Sequence, residues 1–171
     1  MRLFSLILIA SVFSLLLFSP FAVCSDKTKH LFFIERSKNG NLVQYDLRLT
    51  ENDDILDSDP VAVYWILQNG VQRELNPIQR RFAYGIDSYE KLEKNKLRLV
   101  LVALKDRAII VEKIEGSFRA ILAINGKTSV LERVYVETEE KPVGLPRVLY
   151  IDLFGQTRER GLPINERIVP K

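Results

Sequence analysis

Asn-Gly pairs at Asn39-Gly40, Asn69-Gly70 and Asn125-Gly126 each stand between apolar stretches rich in β-branched and aromatic residues. Both residue types accept the positive φ that a two-residue hairpin turn requires. Repeated along one chain, the pair points to antiparallel strands joined by tight turns. Reading outward from the first pair, residues 30–37 (HLFFIERS) turn at Asn39-Gly40 into Asn41–Leu49. In the second strand Val43, Tyr45, Leu47 and Leu49 share one face, and Gln44, Asp46 and Arg48 share the other. That alternation marks a sheet with one wet side.

The rest of the chain continues the pattern. Residues 51–60 (ENDDILDSDP) are polar and form a loop. Val61–Gln68 turns at Asn69-Gly70 into a short strand, Val71–Glu74. Asn76-Pro77 is a helix start, a capping residue followed by Pro at the first helical position. It predicts a helix over Pro77–Ala83, with Ile78 and Phe82 on one face and Gly85 ending it. Residues 87–95 are polar and could hold one more helical turn. A meander follows: Lys96–Leu104, Arg107–Ile114, Ser117–Ile124 and Thr128–Thr138, with turns at Lys105-Asp106, Glu115-Gly116 and Asn125-Gly126. Leu97–Leu104 is apolar on both faces, which predicts a central strand covered on both sides. A Pro/Gly loop leads to a last strand, Arg147–Phe154, and the tail from Gly155 on is polar. The expected fold is all-β with minor α. It is an antiparallel meander of about eight or nine strands in a barrel or strongly curved sandwich, with one or two short helices after the fourth strand.

The N-terminus carries an address. Arg2 precedes the uncharged run of residues 3–19, Pro20 breaks it, and Ala22-Val23-Cys24 follows. Positive charge, apolar core, breaker and small residues make a secretory signal. The competing reading is an uncleaved anchor helix, for which the run is at the short edge of a bilayer span. Cys24 is either the last residue removed or a lipidated new N-terminus, although Val23 and Phe21 match a lipobox poorly. The expected organisation is a signal peptide over 1–24 and a single β-rich domain over 25–171 with a polar C-terminal tail. The expected location is extracytoplasmic: periplasm, envelope or secreted.

Composition narrows the chemistry. With 25 Lys+Arg against 22 Asp+Glu the chain is +3, too balanced for a strongly basic nucleic-acid binder. A single Cys excludes an intramolecular disulfide and a multi-Cys metal cluster, and a single His excludes a His pair. No cofactor and no metal are expected. The motifs G-x-S-x-G, G-x-x-x-x-G-K-[ST] and G-x-G-x-x-G do not occur. His30 would need a partner and a pocket to act as a base, and reads more simply as an exposed residue at a strand start. Asp53, Asp54, Asp57 and Asp59 crowd one loop without the spacing of a calcium-binding EF-hand.

The residues left for a site are aromatic and cationic. Tyr64 and Trp65 offer large apolar area with a polar handle, and alternation sends them to opposite faces. Arg80 and Arg36 suit an anionic head group, because a guanidinium grips two oxygens at once. Tyr84 would supply a hydroxyl. Trp65, Tyr64, Arg80, Arg36 and Tyr84 are therefore the candidate ligand contacts, with no catalytic residue assigned.

The runs HLFFIERSKNGNLVQYDL, DPVAVYWILQNG, RELNPIQRRFAYGI and YIDLFGQ carry a resemblance. Its most specific pieces are Arg36–Asn41, Tyr64-Trp65-Ile66 and Leu75–Gly85. Over roughly residues 30–168 the chain resembles the bacterial family named domain of unknown function four-eight-three-three. The resemblance implies an extracytoplasmic single-domain protein. It implies no activity and assigns no functional residue.

Three readings remain. The first is a non-catalytic binding module for a small apolar or amphiphilic ligand, with an apolar cavity. The second is an envelope protein-protein interaction or structural module, with an exposed apolar patch. The third is a hydrolase built on carboxylate or Arg chemistry, with titratable groups in mutual reach. On any of them no nucleic acid is a partner, and a membrane is met only through the signal segment or a lipidated Cys24.

Overall fold

Alternation becomes burial along the second strand. Val43, Tyr45 and Leu47 are fully buried and Leu49 nearly so, while Gln44 and Arg48 are half-exposed on the other face. The computed structural model describes residues 27–36, 39–143 and 146–170. The expected signal segment, residues 1–24, and with it Cys24, lies outside them. The strands are β1 (Lys27–Arg36), β2 (Asn39–Leu49), β3 (Val61–Ile66), β4 (Gln72–Glu74), β5 (Ile86–Glu93), β6 (Lys96–Leu101), β7 (Ile109–Ile114), β8 (Ser117–Ile124), β9 (Lys127–Glu139), β10 (Arg147–Thr157) and β11 (Pro163–Ile168). The helix α1 (Pro77–Gln79) runs into a π-turn, Arg80–Tyr84. The fold is mostly β, as expected.

The strands form one sheet with the path β4-β3-β2-β1-β9-β8-β7-β6-β5, curled into a half-barrel. All neighbours are antiparallel except β1 and β9, which run parallel. Strand β9 is the fork of the sheet. Val134 pairs with Ile34 on one side and Leu153 on the other, and Val130 pairs with Ile121 and Gln156. One edge of β9 thus carries β10 throughout, and its other edge carries first β8 and then β1.

Several expectations need correction. Asn39 and Gly40 belong to β2, with Asn39 paired to Arg36, so they are not the turn expected there; residues 37–38 lie outside the described residues. Gly40 instead leaves room for Gln68, whose amide would lie 3.0 Å from an added Cβ. Residues 87–95 give no helical turn; they form most of β5, an edge strand exposed from Asp87 to Glu93. Its charged side chains protect the open edge. Strand β6 is not central but next to that edge, and Arg98 is exposed between buried Leu97 and Leu99. The polar tail folds back as β11, pairing with β10 from Ile151 to Gln156. With β5 and β11 the count is eleven strands.

The turns that hold to expectation show why. Glu115-Gly116 and Asn125-Gly126 have φ of 48/79° and 48/75°. Two successive positive φ values match the right-handed twist of the strands they join. Gly85 ends the helical segment because the Arg80 carbonyl oxygen would lie 1.9 Å from any Cβ there.

The core fills the inside of the curl. Phe32 stacks on Tyr45 at 4.5 Å between ring centres, and Trp65 meets Tyr84 edge-on at 5.2 Å. Leu97, Leu99, Val111 and Leu153 complete it from β6, β7 and β10. The open seam between the sheet edges is tied by the 50–60 loop. Ile55 plugs into the core, Lys91 Nζ donates to the Ile55 carbonyl at 3.2 Å, and Lys94 pairs with Asp54 at 3.0 Å. The acidic loop is thus neutralised by neighbours: Asp53 pairs with Lys27, Asp57 with Lys91 and Asp59 with Arg48.

Candidate functional site

One β-bulge decides where the only histidine points. His30 pairs with Asp46 and Phe32 with Tyr45, so Leu31 is an extra residue in β1. Strict alternation from buried Phe32 would turn His30 into the core. The bulge re-aims it to the outer face, onto Asp46. His30 Nδ1 lies 3.0 Å from Asp46 Oδ1. Gln44 Nε2 donates to both carboxylate oxygens at 3.0 Å, and the Tyr64 hydroxyl donates to Oδ2.

Asp46 is only 4% exposed. Burial by itself would raise its pKa, but hydrogen bonds from His30, Tyr64 and Gln44, with the His30 charge, hold it below its ordinary value. It is therefore ionised at neutral pH and can only accept. The proton on the shared edge must then sit on His30 Nδ1, which leaves Nε2 as the outward nitrogen. Burial and the hydrogen bond to Asp46 push the Tyr64 phenol up to about 12, so it stays a donor.

The imidazole edges a groove of about 430 Å³ at the fork of the sheet. Leu31 and Phe33 line it from β1, Arg119 from β8, Leu131 and Glu132 from β9, and Gln156 from β10. The His30 and Phe33 rings stack at 6.3 Å. Gln156 Nε2 donates to Glu132 at 2.7 Å. The Arg119 side chain is exposed and makes no hydrogen bond or ion pair among the described residues. It also lines a second groove of about 370 Å³ that shares Val130 and Gln156 with the first. A cation beside an apolar strip suits an anionic head on an apolar body, and the outward Nε2 is an acceptor for a donor group. No hydroxyl or thiol among the described residues hydrogen-bonds to His30, so no nucleophile is paired with it.

The five residues singled out from the sequence divide between two places. Trp65 and Tyr84 are core residues, and Trp65 Nε1 donates to Gln79 Oε1 at 3.2 Å. Burial pushes the Tyr84 phenol up, and the Arg36 guanidinium beside it pulls part of the way back. Trp65, Tyr84 and Arg36 are thus brought together at one end of the half-barrel. Arg80 lies on the π-turn outside this cluster, paired to Glu74 at 2.5 Å. Tyr64 stands apart on the outer face with Asp46. Sequence reasoning missed Asp46, Gln44, Phe33 and Arg119. The wet-face pattern of β2 held the only available signal, since an acid alternating with core residues must find a partner once buried.

Farther along the same outer face the polar groups close on themselves. Arg133 pairs with Glu35 at 2.8 Å and lies over the Phe154 ring. Arg167 grips both oxygens of Asp152 at 2.8 and 2.7 Å and lies over Tyr150. Among the described residues no cluster of three His, Cys, Asp or Glu could hold a metal ion, and no helix is long and apolar enough to cross a membrane.

A family model described as "Domain of unknown function (DUF4833)" matches residues 32–167. The chain belongs to that family, as the resemblance implied. No curated protein and no solved structure matches it.

Proposed function

We propose that this member of the DUF4833 family is an extracytoplasmic, non-catalytic β-domain that holds a small amphiphilic ligand in the groove at the fork of its sheet. One observation carries the reading: the unpaired Arg119 side chain and Asp46-oriented His30 border the same groove as Phe33 and Val130. The anionic head of the ligand meets Arg119, and the His30 Nε2 lone pair accepts from a hydroxyl or amide donor beside that head. Its apolar part lies on Phe33 and Val130. The packed inside of the half-barrel favours this outer groove over an internal cavity, so Trp65 and Tyr84 act as support rather than as contacts. The N-terminal segment 1–24 supports export, with Cys24 either removed or lipidated.

The test is a titration of the isotope-labelled chain with decanoate and with decyl phosphate, followed by amide NMR. Saturable shifts at Leu31, Phe33, Arg119 and Gln156 are expected. Arg119→Ala should weaken binding about tenfold, the scale of one charge-assisted contact. Shifts centred on the Trp65 indole, or none at either probe, overturn the reading. Denaturing mass spectrometry of the protein from its own cells reads the export proposal, as cleavage or a lipid at Cys24.

A further inference from the structure

The helical turn after β4 is built inside out. Ile78 and Phe82 are four residues apart on it, and both point to solvent, 59% and 56% exposed. A loosely held turn would explain such exposure, but this one is fixed. Asn76 and Gln79 form a reciprocal capping box, with Gln79 N to Asn76 Oδ1 at 2.8 Å and Asn76 N to Gln79 Oε1 at 3.0 Å. Gln79 Oε1 also accepts from the buried Trp65 indole. Leu75 and Tyr84 enter the core on either side of the turn. The apolar pair is therefore presented on a rigid mount.

Its own segment is cationic. Arg73, Arg80 and Arg81 lie within residues 71–84, where Glu74 is the only acid. Asp59 and Asp87, which share a groove with Arg80, are already paired to Arg48 and Lys105. Arg80 already uses Glu74, and the Arg81 guanidinium stands over the Phe82 ring at 5.3 Å. Two protruding side chains are far too small for a stable protein interface, which needs about 800 Å² per partner. They fit a bilayer surface, where apolar tips enter the acyl boundary and guanidinium groups meet lipid phosphates.

We propose that the turn over residues 77–84 is a preformed wedge that docks this protein onto an anionic phospholipid surface, with Ile78 and Phe82 inserted and Arg73, Arg80 and Arg81 on the head groups. The wedge sits beside Arg36, the last residue of β1, whereas the N-terminal segment joins at Lys27, the first. It acts independently of any attachment through Cys24 and of the ligand groove.

The test is co-sedimentation of the full chain, as its own cells process it, with phosphatidylcholine vesicles and with vesicles containing about one third phosphatidylglycerol. Binding at least about tenfold tighter to the anionic vesicles is expected, weakening as salt rises. That preference should vanish in the double variant Ile78→Ser/Phe82→Ser and persist in Arg119→Ala. An N-terminal anchor binds both vesicle types alike and survives the substitutions, so it is read separately. A Phe82→Trp variant should show a blue shift of the added indole on anionic vesicles only. No anionic preference, or a preference that the double variant keeps, overturns the proposal. So does a photocrosslinker at position 82 that captures an envelope protein rather than lipid.

Discussion

Strands β1 to β3 carry two faces made from alternating residues of the same short stretch, and the two faces obey different rules. Tyr45 and Asp46 are neighbours, as are Tyr64 and Trp65, and each pair splits between the faces. Inside, Phe32, Tyr45 and Trp65 meet rings and aliphatic chains, and the Tyr45 hydroxyl donates to the Tyr84 carbonyl at 2.7 Å. Outside, Asp46 is as well buried as much of the core, yet its neighbours are donors. Burial therefore does not separate core from site here; the chemistry of the partner does. Asp152 sharpens the point, because it is an equally buried acid on the same outer face. It is closed by a guanidinium that uses both oxygens, whereas Asp46 is closed by a half-exposed imidazole with one nitrogen to spare.

The largest effect that comparison predicts lies on the inner face. Trp65→Ala removes a ring packed against Tyr84 and the donor that holds Gln79. Truncating a buried Trp costs about 3–5 kcal/mol. Urea unfolding should show this as a large fall in midpoint with little change in slope. A loss below about 1 kcal/mol would mean that the Trp65 side chain is not core, and the split between the faces would fail.

How much of this was legible in the sequence depends on the range of the interaction. Glu115-Gly116 and Asn125-Gly126 were readable because positive φ is a local demand that few residues meet. Asn39-Gly40 misled for the same reason. Glycine there answers a close approach by Gln68, a contact 28 residues away that no local pattern reports. Strand β11 was hidden because only every second residue of PINERI is even partly buried, and those contacts come from its pairing with β10. The polar cluster was hidden more deeply. It requires three strands in register and the bulge at Leu31, without which His30 would face the core. The alternation of β2 placed Asp46 on the outer face correctly, but not the partners that cover it.

A smaller effect distinguishes the faces by pH. Among the described residues the inner face of β1 to β3 buries no carboxylate, so its contribution does not titrate in acid. Asp46 has a depressed folded-state pKa against an ordinary value of 3.8. Its contribution is fully present above the unfolded value and is lost as pH falls through the folded one. Asp152 and Glu166, also depressed by their Arg partners, share the same sign. Thermal midpoints of the native chain should therefore hold from neutral pH down to about pH 4 and fall below it. Asp46→Asn should lower the neutral plateau and flatten part of the acid fall. An acid limb unchanged by Asp46→Asn would show that Asp46 contributes nothing through its charge.

The smallest effect is the most specific. When the His30 ring carries a single proton, an ionised Asp46 fixes that proton on Nδ1, the less common arrangement for a free side chain. The long-range nitrogen-proton NMR spectrum should show a protonated Nδ1 and a bare Nε2 in the native chain. Asp46→Leu removes the acceptor, and the ring should return to the Nε2-protonated form that an unconstrained histidine prefers. His30→Ala, by contrast, should barely move the unfolding midpoint, because Gln44 and Tyr64 still cover the carboxylate. A native spectrum already showing the Nε2-protonated form would mean that Asp46 does not orient the ring. The outer face would then be a polar surface like that around Asp152, and the lone pair offered to the groove would be absent.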